Sequence, residues 1–86
     1  MEDKTKQQFL IEFGRRIREL RARRGYSQES LAHIAGLDRS YLGAIERGEN
    51  NVTVLNAYKI SLALGVEVRD LFEAKKVASG KGVSCQ

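Results

Sequence analysis

Apolar residues fall on a helical period along most of the chain. Phe9, Phe13, Ile17 and Leu20 recur every three or four positions, with Leu10 beside them. That stripe predicts an amphipathic helix over about Lys6 to Arg24, ended by Gly25. Its opposite face carries Arg15, Arg16, Arg18, Arg23 and Arg24. Gly14 sits inside the pattern, where glycine is less favourable than alanine by ~1 kcal/mol, and marks a candidate close approach of a neighbour. The stretch QESLAHIAGLDRSYLGAIER, residues 28–47, then predicts two short helices with a tight turn between them. Ser27 is placed to cap the first, about Gln28 to Ala35, and Gly36 suits the left-handed residue that follows it. Asp38 caps the second, about Arg39 to Arg47, and Gly48 ends it. Leu31, Ala35, Leu42 and Ile45 let both helices face one core, and Ala32 is small enough for them to cross closely. A loop over Glu49 to Val52 follows. Thr53 caps a helix over about Val54 to Leu64, ended by Gly65. This helix is apolar nearly all round, with a second stripe of Leu55, Tyr58 and Leu62. A final helix, about Val68 to Lys76, presents Leu71 and Phe72. Residues 1–5 are expected to fray, and the small, polar segment 77–86 to be a disordered tail.

Bulk properties narrow the class. A chain of 86 residues makes one domain with a core that is marginal on its own. No proline, eight glycines and 42% apolar residues suit a compact all-α protein. The net charge of +4 favours a polyanionic partner, although a solvated basic surface would give the same figure. The single cysteine, Cys85, forbids an internal disulfide and fits a reducing cytoplasm; so near the end of the chain it reads as an incidental thiol. No apolar run approaches the ~20 residues that span a bilayer, and the start MEDKTKQQ lacks the apolar core of a secretion signal. The one histidine, His33, lies among ordinary residues of the second helix. No Cys/His cluster has metal spacing and no glycine-rich phosphate loop is present. No enzyme activity, metal, cofactor or small-molecule effector is therefore expected.

Several motifs in order resemble the lambda/434 repressor and Cro class, the XRE family. They are RRIRELRARRGYSQESLA at the start, GLDRSYLGAIERGE at the centre and ISLALGVEVRDLFE at the end, with Ala32, Gly36 and Leu42 at helix-turn-helix spacing. The resemblance implies a compact five-helix, lambda-repressor-like domain over residues 6–76, with the helix-turn-helix at helices 2 and 3. Within the class, LDRSYLGAIER most resembles the controller proteins of restriction–modification systems. The resemblance further implies that Arg21 pairs with Glu46, and that Val54, Ala57, Ile60, Ser61 and Leu64 are buried. It also implies that Gln28 grips a phosphate and that Tyr41 lies against the sugar-phosphate backbone. Where several relatives carry a basic residue in the next loop, this chain has Glu49-Asn50-Asn51.

A helix-turn-helix lays its second helix in the major groove, where residues of the first turn reach base edges. Arg39 is then the main candidate base reader, because a guanidinium can donate two bonds to O6 and N7 of guanine. Ser40 is a weaker reader, and Ala44 could touch a thymine methyl. Arg16, Ser27, Gln28, Tyr41, Arg47 and Asn51 are candidates for the DNA backbone. Arg21, Glu46, Ala32, Gly36 and Asp38 are expected to be structural. The stripe of Leu55, Tyr58 and Leu62 is either a homodimer interface or a surface that the first helix covers. The function expected is a homodimeric regulator binding a palindromic site in double-stranded DNA, controller-like, with RNA polymerase as a candidate further partner. Phage-type repressors and antitoxin-like autorepressors are rivals within the class. A protein-interaction module on the same fold is the rival outside it.

Overall fold

The computed structural model of the chain describes residues 2–72. Among these, four α-helices and a closing 3-10 turn run in order: α1 (Asp3–Arg24), α2 (Gln28–Ala35), α3 (Arg39–Glu46), α4 (Val54–Leu64) and the turn Val68–Phe72. The five-helix reading thus holds as four helices and a short turn. Residues 73–76 of the expected last helix, the 77–86 tail and Cys85 lie outside the described residues.

Side-chain caps set the helix starts where the sequence placed them. Ser27, Asp38 and Thr53 accept hydrogen bonds from the backbone N–H of Ser30, Ser40 and Asn56, each at 3.0 Å. Gly36 takes the left-handed conformation, with φ at 74°, and turns the chain from α2 towards α3. The first helix differs from expectation. It begins at Asp3, so residues 3–5, expected to fray, are helical. Its N-cap, Glu2, makes no side-chain cap, and Asp3 sits in the first turn, where a negative charge suits the helix dipole.

The core gathers Phe13, Ile17 and Leu20 from α1, Leu31, Ala32 and Ala35 from α2, and Leu42 and Ile45 from α3. Ala57, Ile60, Ala63 and Leu64 from α4 complete it with Leu71 from the turn. Helix α1 packs on α3 and on the turn, and α2 packs on both α3 and α4. At the α1–α3 crossing a Cβ on Gly14 would overlap the carbonyl oxygen of Ile45 and lie 2.6 Å from that of Glu46. Only a glycine lets the two backbones meet this closely.

Two positions read as core are not. Phe9 is 52% exposed and stacks at the core edge, its ring 6.4 Å from Phe13 and 6.2 Å from Phe72. Val54 is 84% exposed. Both sit near the start of their helices, where the apolar stripe runs past the body it packs on. The stripe on α4 also stays open: Leu55, Tyr58 and Leu62 are 60%, 49% and 61% exposed. Helix α1 does not cover it.

Candidate nucleic-acid interface

The pair of helices α2 and α3 is locked from behind by a buried carboxylate. Glu46, at the end of α3, is 3% exposed. Arg21 of α1 donates to it twice, from Nε at 2.7 Å and from Nη2 at 3.0 Å. Its Nη1 also donates to the Tyr26 carbonyl oxygen at 3.0 Å, tying the α1–α2 turn to the same knot. Planar, bidentate pairs of this kind are the strong ones. The Arg21–Glu46 pair implied by the resemblance is therefore present, and it joins α1 to α3.

Gln28 enters the same knot. Its Nε2 donates to Glu46 Oε1 at 2.9 Å. The resemblance implies only a phosphate contact for Gln28. In the structure it is half-buried at the start of α2 and held by Glu46. An amide has a second N–H and an oxygen, so one bond to Glu46 leaves capacity for another partner.

The first turn of α3 faces outward. The Asp38 carboxylate is engaged as the cap, which leaves Arg39 and Ser40 exposed on the same turn. Among the described residues Arg39 has no ion pair. Ala44, one turn on, is half-buried. Tyr41 packs against the core, and its hydroxyl accepts a bond from Asn56 Nδ2 of α4 at 3.0 Å. That link fixes the ring between α3 and α4 and leaves the hydroxyl proton free to donate. Ser27 at the α2 start is exposed, as is Asn51 in the loop after α3.

Gly43, on the next turn of α3, is buried. A Cβ there would stand 3.3 Å from Arg47 Nη1 and 3.5 Å from Gln28 Oε1. The two polar side chains lie over the glycine. Arg47 in turn pairs with Glu49, from Nε to Oε2 at 3.0 Å and from Nη2 to Oε1 at 3.2 Å. The hydrogen bond from Arg47 holds the Glu49 carboxyl below its ordinary value. The Glu49 carboxyl is therefore ionised wherever a free carboxyl is.

Arg16 also has an internal partner. Its side chain is mostly buried, and its Nε donates to the Asp70 carbonyl oxygen of the closing turn at 2.9 Å. It fastens α1 to that turn. The Gln28–Glu46, Tyr41–Asn56 and Arg16–Asp70 bonds had no signal in the sequence. Each depends on how far a side chain reaches across a helix crossing.

A family model described as a helix-turn-helix, HTH_3, matches residues 17–71. The control protein C.BamHI of Bacillus amyloliquefaciens is 45% identical over 62 residues, 71% of this chain and 76% of that protein. The crystal structure of the restriction–modification controller protein C.AhdI from Aeromonas hydrophila superposes with a TM-score of 0.73. It is 54% identical over 73% of this chain and 96% of its own. SinR, the master regulator for biofilm formation, of Bacillus subtilis, was solved in complex with DNA. Its TM-score is 0.67 at 40% identity, over 69% of this chain and 95% of that one.

Proposed function

The chain belongs to the helix-turn-helix family HTH_3 and to its transcriptional regulators, and from that premise we propose that it is a controller-type regulator reading an operator in double-stranded DNA. Arg39, exposed on the first turn of α3 and without an ion pair among the described residues, carries the reading. A guanidinium presented there, on a helix held by the Arg21–Glu46 knot, can donate two parallel bonds to a guanine edge. Ser40 reads beside it, and Ala44 meets a thymine methyl. The DNA-bound relative SinR supports duplex DNA as the ligand. The likeness to C.BamHI and C.AhdI favours the controller role over the phage-repressor and antitoxin rivals.

Phosphates would fix the docking. Ser27 and Gln28 lie at the amide-rich start of α2 and Arg47 and Asn51 beyond the end of α3, and the Tyr41 hydroxyl has a proton left to donate. Arg16 stays in this set: its Nε serves the Asp70 carbonyl, and the other N–H groups of the guanidinium can meet a phosphate. Two copies joined through Leu55, Tyr58 and Leu62 would present two α3 helices to a palindromic operator, with half-sites about one helical turn apart. Such a dimer would act in the cytoplasm by occupancy, excluding or recruiting RNA polymerase at its promoter.

The test is selection of bound duplexes from a random pool, followed by titration of the recovered sequence at several salt concentrations. A palindromic motif and a steep loss of affinity with salt are expected, since neutralised phosphates release counterions. Weak binding with no recovered motif would leave the protein-interaction module as the better reading.

A further inference from the structure

The turn after α3 holds Glu49 in a fixed place. Gly48 takes φ of 77°, which reverses the chain. The Gly48 N–H donates to the Ile45 carbonyl at 3.0 Å, and the Glu49 N–H to the Ala44 carbonyl at 2.9 Å. Helix α1 seals the turn from above: a Cβ on Gly48 would lie 2.7 Å from the side chain of Ile11 and 2.8 Å from its Cα. The backbone that carries Glu49 is thus clamped, and its carboxylate meets Arg47 in two parallel bonds at 3.0 and 3.2 Å.

The same guanidinium lies over Gly43 beside the Gln28 amide. Both Arg47 and Glu49 are more than half exposed, at 58% and 56%. A phosphate arriving at Gln28 and Arg47 finds Glu49 already seated on the arginine. An exposed pair of this kind adds little to stability, because water and salt screen it. Its consequence falls on what Arg47 can bind.

We infer that Glu49 is an internal competitor of DNA phosphate for Arg47, a positioning residue that sets how strongly the protein holds DNA of any sequence. The inference rests on the duplex-DNA reading above. The carboxylate withholds one cation from the backbone and repels the phosphate that would take it. Base reading at Arg39, on the first turn of the same helix, is untouched.

The experiment uses the full chain and a random-sequence duplex of fixed length, with binding followed by fluorescence anisotropy over a series of sodium chloride concentrations. Wild type, Glu49→Gln, Arg47→Gln and the double variant are compared, and thermal melts check that all four fold. Glu49→Gln is expected to bind several-fold more tightly at low salt. Its log–log salt slope should steepen by about 0.9 per protomer, the signature of one more neutralised phosphate. In the Arg47→Gln background the same change should leave the slope where it was. An unchanged slope in Glu49→Gln overturns the competition. So does an equal gain with or without Arg47, which would make Glu49 a source of general repulsion. If folded wild type binds no duplex at any salt, the DNA reading itself falls. If wild type binds and shares its slope with Glu49→Gln, that reading stands and only the competition is lost.

Discussion

Glu46 is a carboxylate taken out of water and given donors from Arg21 and Gln28. Removing it leaves a guanidinium and an amide facing a cavity, and breaking a buried pair in this way costs roughly 3–5 kcal/mol. A small domain has only ~5–15 kcal/mol to lose. Glu46→Ala should therefore move the urea midpoint far down, or leave a chain that does not fold at 37 °C. A midpoint shift no larger than that of an ordinary surface substitution would show that the knot is not stabilising. Arg39 is the opposite case, an exposed side chain without an ion pair among the described residues. Arg39→Ala should leave the melt unchanged and erase the preference at one base pair per half-site, worth ~1–3 kcal/mol each. Gln28→Ala should instead weaken operator and random duplex alike. Binding titrations of both variants on operator, single-base variants and random DNA separate the two roles. Equal loss on every duplex for Arg39→Ala would remove it as a base reader.

At the scale of helices, the α1–α3 crossing turns on Gly14. Alanine there would gain ~1 kcal/mol of helix propensity. It would also drive a methyl into the carbonyl oxygens of Ile45 and Glu46, which are backbone and cannot step aside. Overpacking of this kind costs ~1–3 kcal/mol, and more where the backbone is the obstacle. Gly14→Ala should therefore lower the melting temperature despite the better helix former, and a neutral or raised value would mean that the helices separate freely. Much of the architecture was legible at this scale, and for a local reason. Ser27, Thr53, Gly36 and Gly65 are caps whose chemistry acts within a few residues of the chain, so α2 and α4 were bounded correctly. The α1 start was missed because Glu2 supplies no side-chain cap to mark it. Phe9 and Val54 were misread because a stripe shows which face is apolar, not where the body beneath it ends. The Arg16–Asp70 bond has no trace in the sequence because the two residues are 54 positions apart and charge periodicity does not record such a contact. The outward turn of α3 was legible from Asp38 and Arg39; the overlay of Arg47 and Gln28 on Gly43 was not.

For the whole molecule, the open question is what meets the second face of α4. Among the described residues, Leu55, Tyr58 and Leu62 stay about half exposed or more with α1, α2, α3 and the closing turn in place. Burying a leucine contributes ~1.5–3 kcal/mol, and in a two-fold interface each residue is buried twice, once from each copy. A few such side chains can hold a dimer. The same duplication makes the interface sensitive, because one introduced charge becomes two facing a shared apolar surface. Leu62→Glu should leave helical circular dichroism intact, since Leu62 adds nothing to the monomer core. It should convert the protein to a monomer in analytical ultracentrifugation. The wild-type melting temperature should rise with protein concentration, as association stabilises the folded state by mass action, whereas that of the variant should not. Operator affinity should collapse towards that of a single half-site, while weak binding to random duplex persists. The dimer would be excluded by a wild-type chain that sediments as a monomer at every concentration and binds its operator as well as Leu62→Glu does. In that case selectivity would have to come from one α3 helix alone, with Arg39 as its only long base-reading side chain.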